Sequence, residues 1–446
     1  MEQAHEAMAR ALARVMARAG AGGPVRDLQR LSGGANMESW RFACGTQAFV
    51  LRRAPSAQWL AGRVLDMAGE AAVIRLAHGA GVPAPRVVCE LEPGDALGIG
   101  FVMECLPGSA DPQGALAGGA ALAADIAGAM ARIHAIDPVR AAFLPVLDAR
   151  AGVEGLVAQF EAAGGDRPLI ALGLAWLRAN LPPAVRPCVV HGDLRIGNVM
   201  VAEGRLSGVL DWELAHLGDG HEDLAYGCMA VWRFGRVDRA AFGLADVEAL
   251  AQAYAAAGGD AFDAARFRFW LVYRTVWWAL GCLQMGRAWR DGSDRSLERV
   301  VVARRAGEQE LDLLMLLEAE APGVERARAL PPSAPANAAP VGEPDAGEIL
   351  TTVSEWLAAT VKPLLAGRER WELAVAQNAL GIVRRELAGR PQAADRALAQ
   401  DILAGRASLQ TPGLLAALRR RALDVAAADM PKYPALALAR AGWETQ

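Results

Sequence analysis

The chain has 446 residues, which is too many for one ordinary hydrophobic core and enough for two or three domains. Hydrophobic residues make up 53% and charged residues 22%, proportions that suit a folded globular protein and exclude wholesale disorder. The formal net charge of −4 gives no electrostatic support for non-specific binding to nucleic acid, so no nucleic-acid partner is expected.

The N-terminal segment, residues 1–21, places charged side chains among alanines and predicts an amphipathic helix rather than a secretory leader. No uncharged apolar run reaches the roughly 18 residues that a membrane span needs. The nearest candidate, Leu271 to Met285, is interrupted by Arg274. We therefore expect no membrane partner and a cytoplasmic location.

From about residue 27 to residue 104 the chain is mostly strand-like, with short apolar runs between turn residues. Gly45-Thr46 separates two such runs and predicts a hairpin. The predicted order is strands at 40–43 and 48–52, a helix at 65–79, and strands at 87–89 and 99–103.

Helical patterns dominate from residue 116 onward, interrupted by a short strand region at 188–210. A proline- and alanine-rich stretch at 330–347 is the clearest linker. Helices are predicted at 120–134, 151–162, 267–287, 300–318, 348–386, 393–404 and 413–427. The predicted segments are thus a mixed small lobe (1–105), a helical large lobe (106–329), the linker (330–347) and a helical appendix (348–446).

Two polar clusters lie next to β-branched apolar runs: HGDLRIGN at 191–198 and LDWE at 210–213. Their positions place Asp193, Asn198 and Asp211 on loops between short strands. A carboxylate, an amide five residues on and a second carboxylate thirteen further on form a recurring phosphoryl-transfer set. One Asp accepts a hydroxyl proton, while the amide and the second carboxylate hold magnesium.

These motifs resemble the catalytic and metal-binding motifs of the aminoglycoside phosphotransferase and choline kinase superfamily. The resemblance covers about residues 25–315 and implies an α+β, protein-kinase-like bilobal fold followed by an all-α C-terminal domain. It implies Asp193 as the catalytic base, Asn198 and Asp211 as magnesium ligands, and ATP and Mg²⁺ as cofactors. The appendix resembles a small helical domain of bacteria with no function to transfer.

The other polar residues near these motifs have alternative interpretations. His191 is interpreted as a structural residue that holds the loop. Two roles are left open for Glu213: it lies next to the metal ion, or it contacts a residue that binds the metal ion. His216, His221, Glu222 and Asp223 could hint at a transition metal. A structural role is preferred for this group, with Asp223 anchoring the helix that follows.

In the small lobe, the segment 31–40 is a glycine-containing turn where small residues would let backbone N–H groups approach phosphates. The predicted nucleotide contacts in this turn are Ser32, Gly33, Gly34 and Asn36. This signal alone is weak, because many hairpins contain similar turns.

The next strand carries Arg52 where kinases have a phosphate-binding lysine, which is a departure from the general pattern. The VLR form resembles the branch of phosphotransferases associated with acyl-CoA dehydrogenases, and arginine can hold phosphate oxygens bidentately. Whether Arg52 or Arg53 replaces the lysine stays open, although strand alternation places Val50 and Arg52 on one face.

Glu70, on the following helix, stands where the family has the partner of the strand cation. Asp66, one turn earlier, is the alternative. Met103 and Glu104 resemble the hinge whose backbone bonds the adenine edge, although a plain core strand would have the same sequence.

The preferred function is transfer of the γ-phosphate of ATP to a hydroxyl of a small molecule, with a hydroxyacyl metabolite as the preferred acceptor. The alternative is a catalytically silent nucleotide-binding or scaffold protein that acts through the helical appendix. The expected partners are a nucleotide and a small-molecule hydroxyl acceptor, and the appendix is a candidate surface for a homo-oligomer or an enzyme partner.

Overall fold

The computed structural model describes residues 2–31, 37–56, 60, 63–333, 346–389 and 392–444. They form two compact units, of which the first comprises residues 1–148 and 184–267 and the second residues 149–183 and 268–446. Most of the predicted linker, residues 334–345, lies outside the described residues, and the division into four segments stays a prediction. Within the described residues, no helix is both long and apolar enough to cross a membrane.

The first unit is built on a five-stranded antiparallel sheet with strand order β1-β2-β3-β5-β4. Two further two-stranded sheets pair β6 with β9 and β7 with β8. The strands are β1 (Val25–Arg30), β2 (Glu38–Cys44), β3 (Gln47–Ala54), β4 (Val87–Glu90), β5 (Ile99–Glu104), β6 (Cys188–Val190), β7 (Val199–Ala202), β8 (Arg205–Val209) and β9 (His216–Gly218).

The predicted hairpin at Gly45-Thr46 is confirmed, because Cys44 pairs with Gln47 across the turn between β2 and β3. Alternation along both strands turns Trp40, Phe42, Phe49 and Leu51 into a common core. The N-terminal helix buries Leu12, Val15 and Met16 in the same core.

The helices of the chain are α1 (Glu2–Arg18), α2 (Met67–Gly79), α3 (Pro112–Leu116), α4 (Gly119–His134), α5 (Ala149–Ala162), α6 (Pro168–Ala179), α7 (His221–Tyr226), α8 (Val247–Ala256), α9 (Ala264–Arg290), α10 (Leu297–Ala303), α11 (Ala306–Leu317), α12 (Gly323–Arg326), α13 (Ala346–Trp356), α14 (Gly367–Gly389), α15 (Arg396–Leu403), α16 (Leu414–Asp429) and α17 (Pro434–Trp443). The predicted α+β class with a helical C-terminal region is confirmed.

Two long helices predicted from the sequence are each divided in the structure. The predicted helix 300–318 breaks at Arg304-Arg305, between α10 and α11. The predicted helix 348–386 is interrupted between α13 and α14, where Pro363 lies in a short 3₁₀ turn. Helices α3, α6, α8, α12 and α17 have no counterpart among the helices predicted from the sequence.

In the second unit, α11 lies among α6, α16 and α17, and α15 packs against α6. Leu311, Leu314 and Leu415 are fully buried there. The C-terminal helices therefore share a core with helices that precede the linker.

Candidate active site

The loop at 191–198 joins β6 to β7, two short strands in which Val189, Val190 and Val199 are buried. Gly192 adopts a φ of +81°, and a Cβ at this position would lie 2.5 Å from the carbonyl oxygen of Leu214. Only glycine meets both conditions without strain. The tight turn brings the next residue, Asp193, into a buried position at the start of the loop.

Asp223, on α7, stabilises this turn by contacting its backbone. Its carboxylate accepts hydrogen bonds from the backbone N–H groups of His191 (2.8 Å) and Gly192 (2.9 Å). The ring of His134 lies 3.1 Å from the same carboxylate through Nε2, and its Nδ1 lies 2.7 Å from the Tyr254 hydroxyl. Burial would raise the pKa of Asp223, but His134 and the backbone amides lower it to about 2.

His191 is a brace of the loop, as the sequence interpretation proposed. Its Nε2 lies 3.1 Å from the carbonyl oxygen of Leu210, and its Nδ1 accepts the N–H of Asp193 at 3.2 Å. The ring packs on Trp212, with 4.5 Å between the ring centroids. Burial lowers the pKa of His191, which keeps the imidazole neutral and suits an Nε2–H donor.

The carboxylate of Asp193 is held from three sides. Arg195 Nε lies 3.0 Å from Oδ1, Asn198 Nδ2 lies 2.6 Å from Oδ2, and the Tyr226 hydroxyl also hydrogen-bonds to it. Burial raises the pKa of Asp193, while the charge of Arg195 opposes that rise. Arg195 in turn stacks over Trp232, with 4.4 Å from its guanidinium carbon to the ring centroid.

Asn198 and Asp211 present the oxygen atoms that a magnesium ion requires. The Asn198 amide nitrogen donates to Asp193, so its Oδ1 is directed elsewhere as an acceptor. Asp211 has a φ of +64°, which is uncommon for a residue with a side chain, and its carboxylate is about one-third exposed. An amide and a carboxylate oxygen fit a hard cation such as Mg²⁺.

The structure distinguishes the two arginines of β3. Arg52 Nε lies 2.7 Å from Glu70 Oε1, and its Nη2 lies 2.7 Å from Asp211 Oδ1. The contact with Glu70 is an ion pair without the alignment of a hydrogen bond. Arg53 instead pairs with Glu38 on β2 and donates to the carbonyl oxygen of Leu97. Only Arg52 is therefore directed toward the loop residues.

The contacts of Glu70 and Asp66 also show which of them pairs with the arginine of β3. Asp66 accepts a hydrogen bond from the N–H of Gly69 at 2.7 Å and so caps the start of α2. Glu70 is 1% exposed, and burial raises the pKa of its carboxyl. Arg52 and Arg63 both contact its carboxylate, and the geometry assigns the ion pair to Glu70.

The remaining predicted nucleotide contacts lie in two places. Met103 and Glu104 end β5, opposite Val50 and Phe49 on β3. The backbone N–H of Glu104 donates to Arg86, and its side chain pairs with the same residue. The predicted contacts in the glycine turn, namely Ser32, Gly33, Gly34 and Asn36, lie outside the described residues.

The two histidines that follow Asp211, His216 and His221, make contacts typical of structural residues. His216 Nε2 lies 3.1 Å from Glu222 Oε2, and His221 Nε2 accepts the N–H of Asp263 at 2.9 Å. Within the described ranges, no group of three or more His, Cys, Asp or Glu side chains could hold a metal ion. Asp223 braces the loop described above, which is more than the helix anchoring predicted for it.

Sequence reasoning missed five polar residues of this site: Arg63, His134, Arg195, Tyr226 and Tyr254. Arg195 lies inside the HGDLRIGN motif, so its position two residues after Asp193 was a usable signal. The other four reach the site from more distant parts of the chain, and Arg63 contacts a carboxylate 150 residues away. No local pattern marks such contacts.

Arg52 on β3 pairs with Glu70 on α2, and the nearby loops carry Asp193, Asn198 and Asp211. Together these features define a kinase-like site. A model of the phosphotransferase enzyme family matches residues 27–270, more than half of the chain. The chain belongs to this family. Residues 363–433 match a second family described only as a domain of unknown function, DUF6285.

Among curated proteins, the chain is similar to mouse acyl-CoA dehydrogenase family member 10, with 29% identity over 225 residues. It is also similar to mouse acyl-CoA dehydrogenase family member 11, with 30% identity over 200 residues. These matches cover 47% and 41% of this chain but only 21% and 25% of the relatives. The chain therefore corresponds to about a quarter of each relative or less.

Among solved structures, the fold is similar to that of a Ralstonia eutropha protein provisionally assigned as an aminoglycoside phosphotransferase. The TM-score is 0.57 with 22% sequence identity, and the match covers 70% of this chain and 98% of the other. This likeness confirms the predicted kinase-like fold.

Proposed function

We propose that this protein transfers the γ-phosphoryl group of ATP to a hydroxyl group of a small molecule in a magnesium-dependent reaction. The observation that carries the proposal is the convergence of Asp193, Asn198, Asp211 and Arg52 in one site. The Asn198 amide bonds to Asp193 at 2.6 Å, and Arg52 bonds to Asp211 at 2.7 Å. Each group has a separate task in phosphoryl transfer.

Asp193 is positioned to accept the proton of the acceptor hydroxyl, since its carboxylate is fixed by Asn198 and Arg195. Asn198 and Asp211 would hold the metal ion through oxygen atoms. A bound magnesium ion would neutralise the charge on the phosphate oxygens during transfer. Arg52 would contact a phosphate while keeping its ion pair with Glu70.

For the acceptor, we propose a hydroxyacyl metabolite. The support is the identity of the relatives, both of which are acyl-CoA dehydrogenase family members. The VLR form of β3 is consistent with the same branch. Arg195 adds a cation beside Asp193, which suits an acidic acceptor better than a polycationic aminoglycoside.

The first test is thermal melting of the protein with ATP, GTP or ADP, each with and without magnesium. A nucleotide that binds the native state raises the melting temperature by mass action. We expect a magnesium-dependent rise with ATP in the wild type and its loss in Asp211→Asn. Asp401→Asn, which changes an exposed acid in the second unit, is the matched control.

Acceptors are then screened by ADP formation, starting with hydroxyacyl-CoA derivatives. No melting shift with any nucleotide would contradict the proposed activity. A shift that is the same with and without magnesium, together with no ADP formation, would favour the catalytically silent alternative.

The alternative role through the helical appendix also has a supporting observation. Ile349, Val353 and Trp356 form a stripe on α13 in which each side chain is 41–56% exposed. The opposite face of α13 carries Thr351 and Ser354, which hydrogen-bond to α14. An exposed apolar stripe is typical of an interaction surface.

We propose, as a second candidate function, that this stripe docks an acyl-CoA dehydrogenase. The relatives carry that name, and the match covers a quarter of their length or less. Replacing the three stripe residues by serine should abolish co-elution with a dehydrogenase, whereas Val139→Ser, at a 78% exposed site in the other unit, should not. Equal co-elution of both variants would contradict the role of the stripe.

A further inference from the structure

Arg63 lies in the segment between β3 and α2 and takes part in a ring of charges behind the predicted phosphate site. Its Nη1 lies 2.8 Å from Glu213 Oε2, and its Nη2 lies 3.0 Å from Glu70 Oε2. Its Nε donates to the carbonyl oxygen of Leu65 at 3.2 Å. With 10% of its side chain exposed, Arg63 is fixed on three sides.

Arg52 closes the ring from the opposite side. It lies 2.7 Å from Glu70, 2.7 Å from Asp211 and 3.5 Å from Glu213. Two guanidinium groups thus face three carboxylates, and Glu70 receives one contact from each arginine. A buried carboxylate that loses its cation pays a large desolvation cost.

We propose that Arg63 is a positioning residue of the phosphotransfer site, which ties Glu70 on α2 to Glu213 beside the metal-binding Asp211. This inference rests on the proposed function. When Arg52 shares its charge with a phosphate, Arg63 keeps Glu70 paired. Through Glu213, it also holds the segment that carries Asp211 at a fixed distance from α2.

One guanidinium group that bridges two carboxylates explains why this position uses arginine. The planar guanidinium places Nη1 and Nη2 on two different carboxylates while Nε contacts a backbone oxygen. A lysine is a single point charge and would bind one of the two carboxylates at a time. The tie between α2 and the Asp211 segment needs both contacts.

The test compares Arg63→Met with Arg75→Met in the full-length protein. Arg75 is also an arginine of this region, on α2, but it pairs with Glu90 in an exposed contact. Binding of ADP is measured by calorimetry with and without magnesium. We expect Arg63→Met to weaken magnesium-dependent ADP binding at least tenfold, and Arg75→Met to change it less than twofold.

A second variant separates positioning from general destabilisation. The double variant Arg63→Met/Glu213→Gln should recover part of the lost affinity, because it removes a carboxylate that Arg63→Met leaves with only its 3.5 Å contact to Arg52. Arg63→Lys should fall between wild type and Arg63→Met, and it serves in place of Arg63→Met if that variant does not fold.

Three outcomes would overturn the inference: wild-type affinity in Arg63→Met, equal losses in the Arg63 and Arg75 variants, or no recovery in the double variant. If the wild type itself binds no nucleotide, the proposed function fails first, and the wild-type titration shows this separately.

Discussion

Arg52 and Arg53 are adjacent in sequence but lie in different surroundings, because side chains alternate between the faces of a strand. Arg53 pairs with its cross-strand neighbour Glu38, whereas Arg52 meets Glu70 and Asp211. Burial would lower the pKa of Arg52, but the three carboxylates around it raise the pKa and keep the guanidinium charged. The two positions therefore form a matched pair for experiment.

We predict that Arg52→Met weakens binding of magnesium–ATP at least tenfold, because the only guanidinium directed toward Asp211 within the described residues is lost. Arg53→Met should lower the melting temperature by a few degrees at most, since it breaks a half-buried pair with Glu38, and should leave nucleotide affinity within twofold. Calorimetric titration of both variants measures this. Equal losses of affinity would mean that the two arginines share the role.

The variant Asp193→Asn tests the proposed role of Asp193 as the catalytic base. Asparagine keeps the shape of the side chain but cannot accept the hydroxyl proton, so we expect ADP formation to fall by about 10²- to 10⁴-fold. Affinity for magnesium–ATP should change much less, because the base acts in the transfer step. Steady-state kinetics and calorimetry on the same preparation separate the two effects. An undiminished turnover number would remove Asp193 from its assigned role.

At the scale of residues, the sequence predicted those site residues that lie close to one another along the chain. Asp193, Asn198 and Asp211 lie within twenty residues, and their spacing alone predicts their convergence. Arg63 and His134 could not be found in this way, because each becomes part of the site only when the chain folds over a long distance. Asp66 and Glu70 could be separated only by the cap geometry of α2.

At the scale of elements, the short helix α7 connects its neighbours through one carboxylate, that of Asp223. Asp223 joins α7 to the loop after β6 and, through His134, to the end of α4. Tyr254 on α8 fixes the other side of the same imidazole. Four elements are therefore held together around the turn that presents Asp193.

Asp223→Asn should destabilise the first unit strongly, because an amide nitrogen would then face backbone N–H groups or the ring of His134. Loss of one partner in a buried charged network costs about 3–5 kcal/mol. Turnover should fall together with stability. Differential scanning calorimetry and ADP formation are the measurements.

Asp246→Asn is the control for this prediction. Asp246 caps α8 from an exposed position, and asparagine caps as well as aspartate. Its melting temperature should stay near that of the wild type. If Asp223→Asn melts like this control, the brace contributes little to the fold.

The element predictions failed where a periodic pattern continued across a break. The apolar pattern at 300–318 does not show the turn at Arg304-Arg305, where ion pairs with Asp429 and Glu308 fix both side chains. Helix α6 has apolar residues on nearly every face, so it lacks the amphipathic period that marks a surface helix. The first error arises from long-range ion pairs and the second from burial, and a local sequence pattern reports neither.

At the scale of the whole molecule, the second unit unites helices from both sides of the linker. Its interior contains several charged groups: Arg167 with Glu310, Arg305 with Glu308, and Arg304 with Asp429. Their number is high for a helical core. The sequence predicted helices in this unit, but not their shared core, because charged residues are expected on surfaces.

Asp429 gives this core a measurable pH dependence. Burial raises the pKa of its carboxyl to about 6 from an ordinary 3.8, although Arg304 lies beside it. The folded state therefore favours the protonated form. This contribution to the free energy of unfolding is fully present below about pH 4 and is lost as the pH rises through 6, and it amounts to about 3 kcal/mol.

We therefore predict that Asp429→Asn, which cannot ionise, flattens the pH dependence of stability between pH 4 and pH 6. At pH 7 the variant should be at least as stable as the wild type, because it no longer carries a buried charge, and Arg304 retains Glu386 and partial exposure to water. Denaturant unfolding at several pH values measures this. Asp401→Asn, at an exposed pair on α15, should follow the wild-type curve. If Asp429→Asn also follows the wild-type curve, then Arg304 fully compensates the buried carboxylate and the interior of this unit tolerates charge more readily than burial alone indicates.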